Sequence, residues 1–214
     1  MKKLEPPPQT PSEFFSSLFG ASFPGKLAIW TKQDLTTKFF SADELVKAER
    51  YCMRKAETSD VYFGVGLVRA DLTSGRGKAD DVTAIPGLWL DIDVGTEGHK
   101  GAKYPPDINT AWKIVKEFPV KPSLAVHSGY GLHVYWLFSE LLVTDTPEKR
   151  AKAATLSSNF QLKMRDSFAV HGYKVDNTSD LSRVLRVVGT NNHKQDQTKS
   201  VRVKYPKPQK EESK

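Results

Sequence analysis

In the run LWLDID, residues 88–93, apolar and chemically active side chains alternate with a period of two. A β-strand puts successive side chains on opposite faces, so Leu88, Leu90 and Ile92 share one face and Trp89, Asp91 and Asp93 the other. The apolar face demands a hydrophobic layer against it, which makes this a core strand. The other face holds two carboxylates whose Cα atoms lie about 7 Å apart. Two ionised acids at that spacing repel, and a positive charge between them removes the conflict. Hard oxygen donors without a cysteine or histidine cluster favour Mg²⁺ or Mn²⁺ over zinc. A bare pair of this kind equally suits two solvated acids at a strand end, so its meaning depends on what else the chain brings beside it.

The chain is 214 residues long, enough for one substantial domain or two small lobes sharing a cleft. With 38% hydrophobic and 27% charged residues, it has the balance of a folded soluble protein rather than a disordered one. No apolar run approaches the roughly 20 residues that span a bilayer, so no membrane partner is expected. The start, MKKLEPPPQTPSEFF, places acid and prolines where a secretion signal needs an apolar stretch. The single cysteine, Cys52, has no internal disulfide partner. Both features suit a reducing, cytoplasmic setting. A net charge of +7 and a pI near 9.3 favour an anionic partner such as nucleic acid or nucleotide. Part of that charge, at Lys199, Arg202, Lys204, Lys207 and Lys210, equally reads as a solvated basic tail.

Local signals give a mixed α/β, or α+β, order. Residues 1–10 are proline-rich and expected to be disordered, the folded domain is expected over 11–205, and 206–214 reads as a basic tail or linker. Ser12 is placed to cap a helix running to Leu18. KLAIW (26–30) and TKFF (37–40) read as strands, and Ser41 caps a helix to about Ala56. Strands are expected at 60–70, 87–95, 123–129, 132–138, 173–176, 184–188 and 200–205. Helices are expected from Asp107 to Phe118 and from Pro147 to about Val170. The turn at Tyr130-Gly131 joins two strands tightly, which implies antiparallel pairing. Trp30 and Trp136 are expected in the core.

Two further segments carry chemistry. In SGYGLHVYWLF, Gly129 and Gly131 permit a close backbone turn with Ser128 on one side and His133 on the other. A hydroxyl, backbone amides and an imidazole gathered there suit a phosphate, more strongly if His133 is protonated. His127 points the other way along its strand. In VDNTSDLSRVLRVVGTNNHK, residues 175–194, Asp176 follows a short apolar strand and Asp180 lies near a turn. Arg183 and Arg186 can clamp phosphates or shield acids with their guanidinium forks. Gly189, Thr190, Asn192 and Lys194 form a polar loop. Each segment alone also fits an ordinary surface hairpin.

In the order GLWLDID, SGYGLHVYW and VDNTSDLSRVLRVVGTNNHK, the three resemble the motifs of archaeo-eukaryotic primases, most closely the primase-polymerase domains of plasmids, phages and CRISPR-associated proteins. The motifs span residues 87–194, about half the chain. The upstream VYFGVGLVRADLTSGRGKADDV is also similar to the segment preceding the acidic strand in that group. Where the family pattern has proline before GT, this chain has Val188.

The resemblance implies a two-lobed core in which a smaller N-terminal lobe packs against an RRM-like sheet. It implies Asp91, Asp93 and Asp176 as catalytic metal ligands, with Asp180 the alternative third acid. It implies two Mg²⁺ or Mn²⁺ ions, Ser128 and His133 on the triphosphate, and Arg183, Asn192 and Lys194 as nucleotide contacts. The partners implied are single-stranded or primed DNA template, NTPs or dNTPs, and a fused or separate helicase module. The activity implied is DNA primase or DNA polymerase. A metal-dependent nuclease and a non-catalytic replication-initiator module are the rival readings.

Overall fold

A computed structural model describes residues 6–95, 103–194 and 197–206. The expected tail over 206–214 lies outside them except for Pro206, and so does most of the connection after Gly95.

In chain order the elements begin with helix α1 (Pro11–Phe19) and the hairpin β1 (Leu27–Thr31) and β2 (Thr36–Phe40). Helix α2 (Leu45–Ala56) leads to β3 (Val61–Gly64), β4 (Leu67–Val68) and β5 (Val82–Asp93). Helix α3 (Ile108–Glu117) precedes the hairpin β6 (Leu124–His127) and β7 (Gly131–Val143). Helix α4 (Pro147–Val170) is followed by β8 (Val184–Arg186), β9 (Asn191–Asn192), β10 (Lys199–Ser200) and β11 (Arg202–Tyr205).

The strands form two main sheets, ordered β2-β1-β3-β8 and β11-β6-β7-β5-β4, with β9 and β10 paired beside them. All pairings are antiparallel, so the α+β reading with antiparallel strands holds. The expected single strand over 60–70 is divided between the sheets: β3 belongs to the first and β4 to the second. The crossing is at Val65-Gly66, where a Cβ on Gly66 would lie 2.6 Å from the Val82 side chain and 2.8 Å from the Leu181 carbonyl. Only a residue without a side chain passes there.

Strand β5 alternates as the sequence requires. Trp89 enters one hydrophobic core with Phe14, Phe15, Phe63 and Leu185, while Leu88, Leu90 and Ile92 enter a second with Trp136, Met164 and Phe168. Both β5 and β7 run longer than expected. Pro86 has no N–H for the ladder, and the register shifts between Ile85 and Gly87 so that the strand continues past it.

Three local expectations change. Thr10, not Ser12, caps α1: its backbone is extended, its hydroxyl accepts from the Glu13 N–H, and Pro11 fills the first helical position. Of the segment expected to be disordered, Pro7 and Pro8 are buried; residues 1–5 lie outside the described set. YKVD (173–176) is not a strand. Its Val175 enters the second core, but Lys174 N–H bonds to the Lys103 carbonyl instead of to a sheet.

Candidate functional site

The three sequence segments meet in one cleft of about 200 Å³ between the two sheets. Its walls include Asp91 and Asp93 from β5, His133 from β7, Ser128 and Tyr130 from the β6–β7 turn, and Val184, Leu185, Arg186, Asn192 and Lys194 from the C-terminal segment. Lys32 and Tyr62 complete it from the first sheet.

The β6–β7 turn is shaped by its glycines. Gly129 has φ of 100°, and a Cβ there would lie 2.9 Å from the Asn192 side chain. A Cβ on Gly131 would collide with the Ile92 carbonyl. The loop can therefore press against both β5 and the C-terminal segment. Asn192 Nδ2 donates to the Ser128 carbonyl at 2.6 Å, tying the second and third segments together. His127 Nδ1 accepts from the Gly129 N–H at 3.0 Å, so it braces the turn and does not face the cleft.

His133 stands directly across from Asp91 in the β5–β7 register. Its Nε2 is 3.5 Å from Asp91 Oδ1, and its side chain is 5% exposed against 32% for Asp91. Burial lowers the imidazole pKa to about 3, and Arg186 pushes the same way against a weaker pull from Asp93. Of the two states the sequence left open, the uncharged one is favoured near neutral pH, so His133 donates as a neutral imidazole. Its buried Nδ1 has no hydrogen-bond partner among the described residues. Asp91 is shifted in the other sense. Burial raises its pKa to about 6, outweighing the attraction of Arg183, Arg186 and Lys194, with Asp176 adding to the rise.

Asp176 therefore lies close enough for its charge to be felt at Asp91, but it does not line the cleft. It accepts from the Tyr104 hydroxyl at 3.2 Å and pairs with Lys174 at 3.3 Å. Among the described residues no three acidic, histidine or cysteine side chains come together as a metal-holding group. Asp180 pairs with Arg183 at 2.8 Å and accepts from Ser182, which is a local turn contact. The donor chemistry of Asp91 and Asp93 suits a hard divalent cation, because a carboxyl made costly to ionise by burial is discharged by one.

The arginines exchange roles. Arg183 is absent from the cleft wall, and its buried Nε has no hydrogen-bond partner among the described residues. Arg186 lines the cleft, its guanidinium held by Asp60 at 2.7 Å and stacked 4.7 Å from the centre of the Tyr62 ring. Asp60 and Arg186 are 1% and 7% exposed at their side chains. Burial acts to raise the Asp60 pKa, but the bonds from Arg186 and from the His193 N–H at 2.7 Å prevail and hold it low. Asp60 thus fixes both the cleft arginine and the backbone leading to Lys194.

Asp60, Lys32 and Tyr62 carried no motif signal. They stand in ordinary strand sequence, and only the pairing of β1, β3 and β8 puts them beside the acids.

No known family model matches the chain, and no curated protein matches it. Three solved structures resemble it. The AEP domain of the cyanophage S-2L primase-polymerase gives a TM-score of 0.48 at 17% identity, over 83% of this chain and 78% of that one. Primase RepB′ gives 0.49 at 13% identity, over 90% of this chain and 55% of that one, so this chain spans little more than half of it. The catalytic domain of primase RepB′ in complex with initiator DNA gives 0.44 at 14% identity, over 84% and 74%.

Proposed function

We propose that this chain is a primase-polymerase catalytic domain of the archaeo-eukaryotic type, joining nucleoside triphosphates into a strand on a single-stranded DNA template. One observation carries the reading: residues from three motifs, separated by up to about a hundred positions, line a single cleft with acids on one wall and cations on the other.

Asp91 and Asp93 would hold the divalent ions, with Asp176 the third acid in their field. When bound, such ions make a hydroxyl nucleophilic and neutralise phosphate charge. Arg186, preset by Asp60, donates its guanidinium N–H groups to phosphate oxygens without reorganising. Lys194 and Lys32 add charge to the same wall. Neutral His133 contributes a directed N–H, and Ser128 a hydroxyl. Asn192 is a positioning residue, since its amide is already committed to the Ser128 carbonyl.

Incubation with single-stranded template, labelled nucleotide and Mn²⁺, with and without primer, tests the reading. Labelled product is expected from the native chain and none from the Asp91→Ala/Asp93→Ala variant. Product from that variant overturns the assignment, and cleavage of the template without nucleotide favours a nuclease instead.

A further inference from the structure

The face of the first sheet that borders the cleft carries two aromatic rings to which the cleft chemistry gives no role. Along β1, Leu27, Ile29 and Thr31 are buried in the layer beneath; Ala28 and Trp30 share the opposite face, Ala28 covered by Val68 and Leu72 and Trp30 partly open, and Lys32 follows in the turn. Trp30 is only partly buried, against the expectation that it belongs to the core. Strand period puts it on the face opposite Ile29, which enters the first core beside Phe63.

Strand register sets Trp30 across from Tyr62, and Tyr62 across from Arg186. The Trp30 and Tyr62 rings are 5.3 Å apart at 40°. Arg186 lies 4.7 Å from the centre of the Tyr62 ring. At the far end Arg76 lies 4.7 Å from the centre of the Trp30 ring. The result is a continuous row, cation, ring, ring, cation, whose inner end (Arg186, Tyr62 and Lys32) is the cleft wall itself. Its outer end is an exposed side chain on the loop between β4 and β5. That loop carries Gly75 and Gly77 at positive φ, and a Cβ on Gly75 would meet nothing within 4 Å. Gly77 packs against Val68 and Leu72, while Arg76 itself is exposed and its side chain is free to swing off the ring.

Flat rings flanked by cations, leading directly into a basic cleft, match an unpaired nucleobase with its phosphates. The charges are wrong for a basic partner, and the row is too narrow and polar for an apolar one. We propose that Trp30 and Tyr62 form a stacking platform for a base of a single-stranded nucleic acid. The base takes the place over Trp30 that the Arg76 guanidinium now occupies, and the displaced guanidinium meets the strand's phosphate. The proposal rests on the nucleotidyl-transfer reading of the cleft for its purpose, but its binding test does not need catalysis.

The test is fluorescence anisotropy with a labelled oligothymidylate of about a dozen nucleotides and a matching abasic strand, without nucleotide or divalent ion. Trp30→Ala is expected to weaken oligothymidylate binding roughly 5- to 100-fold and to leave abasic binding nearly unchanged, while Trp30→Phe recovers most of the loss. Arg76→Ala is expected to weaken both strands alike. Unchanged affinity in Trp30→Ala, or an equal loss on both strands, overturns the proposal.

A second measurement uses the unaltered chain. A strand carrying 5-iodouracil is photocrosslinked and the modified peptide identified, with Trp30 or Tyr62 expected and modification confined to other segments overturning the platform. Failure of synthesis with intact Trp30-dependent binding would sink the catalytic reading alone. Synthesis with Trp30-independent binding would sink the platform alone.

Discussion

At the scale of single residues, the cleft is decided by a contest at Asp91 between burial and charge. Three cations pull its carboxyl toward ionisation, yet burial wins and its pKa stands at about 6. A carboxyl whose folded pKa is raised favours the folded state most when protonated. That contribution is full below the unfolded value, 3.8, and is lost as pH rises through about 6. At face value the shift corresponds to about 3 kcal/mol. With a third of the side chain open to solvent, screening leaves roughly 1 kcal/mol. In chelator, Asp91→Asn should therefore raise Tm by about 2–4 °C at pH 7.5 and by almost nothing near pH 3, below the unfolded value. Equal shifts at the two pH values would mean that ionisation is not what the substitution relieves. The face that Asp91 occupies was legible in LWLDID because strand period alone sets it. Its pKa was not, since that depends on burial in the folded cleft and on Arg183, Arg186 and Lys194, about a hundred positions away. The same limit explains His133: sequence shows an imidazole beside a glycine turn, and only tertiary packing shows that it is kept neutral.

At the scale of elements, the position of Asp176 depends on an unpaired strand edge. Strand β4 pairs with β5 only near Val82 and Ala84, so among the described residues the half of β5 bearing the acids has no strand neighbour on that side. The segment after α4 lies along it and is fastened by side chains. Trp89 Nε1 donates to the Thr178 carbonyl at 2.7 Å, Gln161 Nε2 donates to the Trp89 carbonyl at 3.0 Å, and Thr178 N–H donates to Gln161 Oε1 at 2.8 Å. Gln161, 1% exposed on α4, satisfies both chains at once. Gln161→Ala strands buried polar groups, with a cost of about 2 kcal/mol, and should lower Tm by roughly 4–8 °C. It should also reduce nucleotide incorporation at temperatures where the variant is fully folded, because Asp176 loses its anchorage. Full activity there would detach Asp176 from the site. Here the sequence misleads for a physical reason. YKVD has the alternation of a strand, but its backbone bonds go to Phe168 and Lys103 rather than to a sheet, and a glutamine in mid-helix carries no mark of burial. The span of α4, by contrast, follows from Thr146 and Pro147 at its start and is read correctly.

At the scale of the whole molecule, the two sheets are one folding unit because two adjacent interior strands of the larger sheet, β5 and β7, belong to both cores. From β5, Trp89 packs with the first core and Leu90 and Ile92 with the second; from β7, Tyr135 and Leu137 pack with the first and Val134 and Trp136 with the second. This sharing could not be read from the chain order, since the passage of VYFGVGLV from one sheet to the other is a tertiary event at Gly66. Two lobes implied by motif likeness would be free to unfold separately if each had a private core. Here, losing either core bares one face of β5 and β7, and the apolar area exposed weakens the other core directly. Urea unfolding should therefore be a single transition. The tryptophans provide an internal control, because Trp89 reports on the first core and Trp136 on the second. Fluorescence of a variant retaining only Trp89, of one retaining only Trp136, and far-UV circular dichroism of each should agree on one midpoint per variant. A midpoint that differs between fluorescence and dichroism in either variant would show that the cores melt apart, and the strands bearing Asp91 and His133 would then not be clamped from both faces.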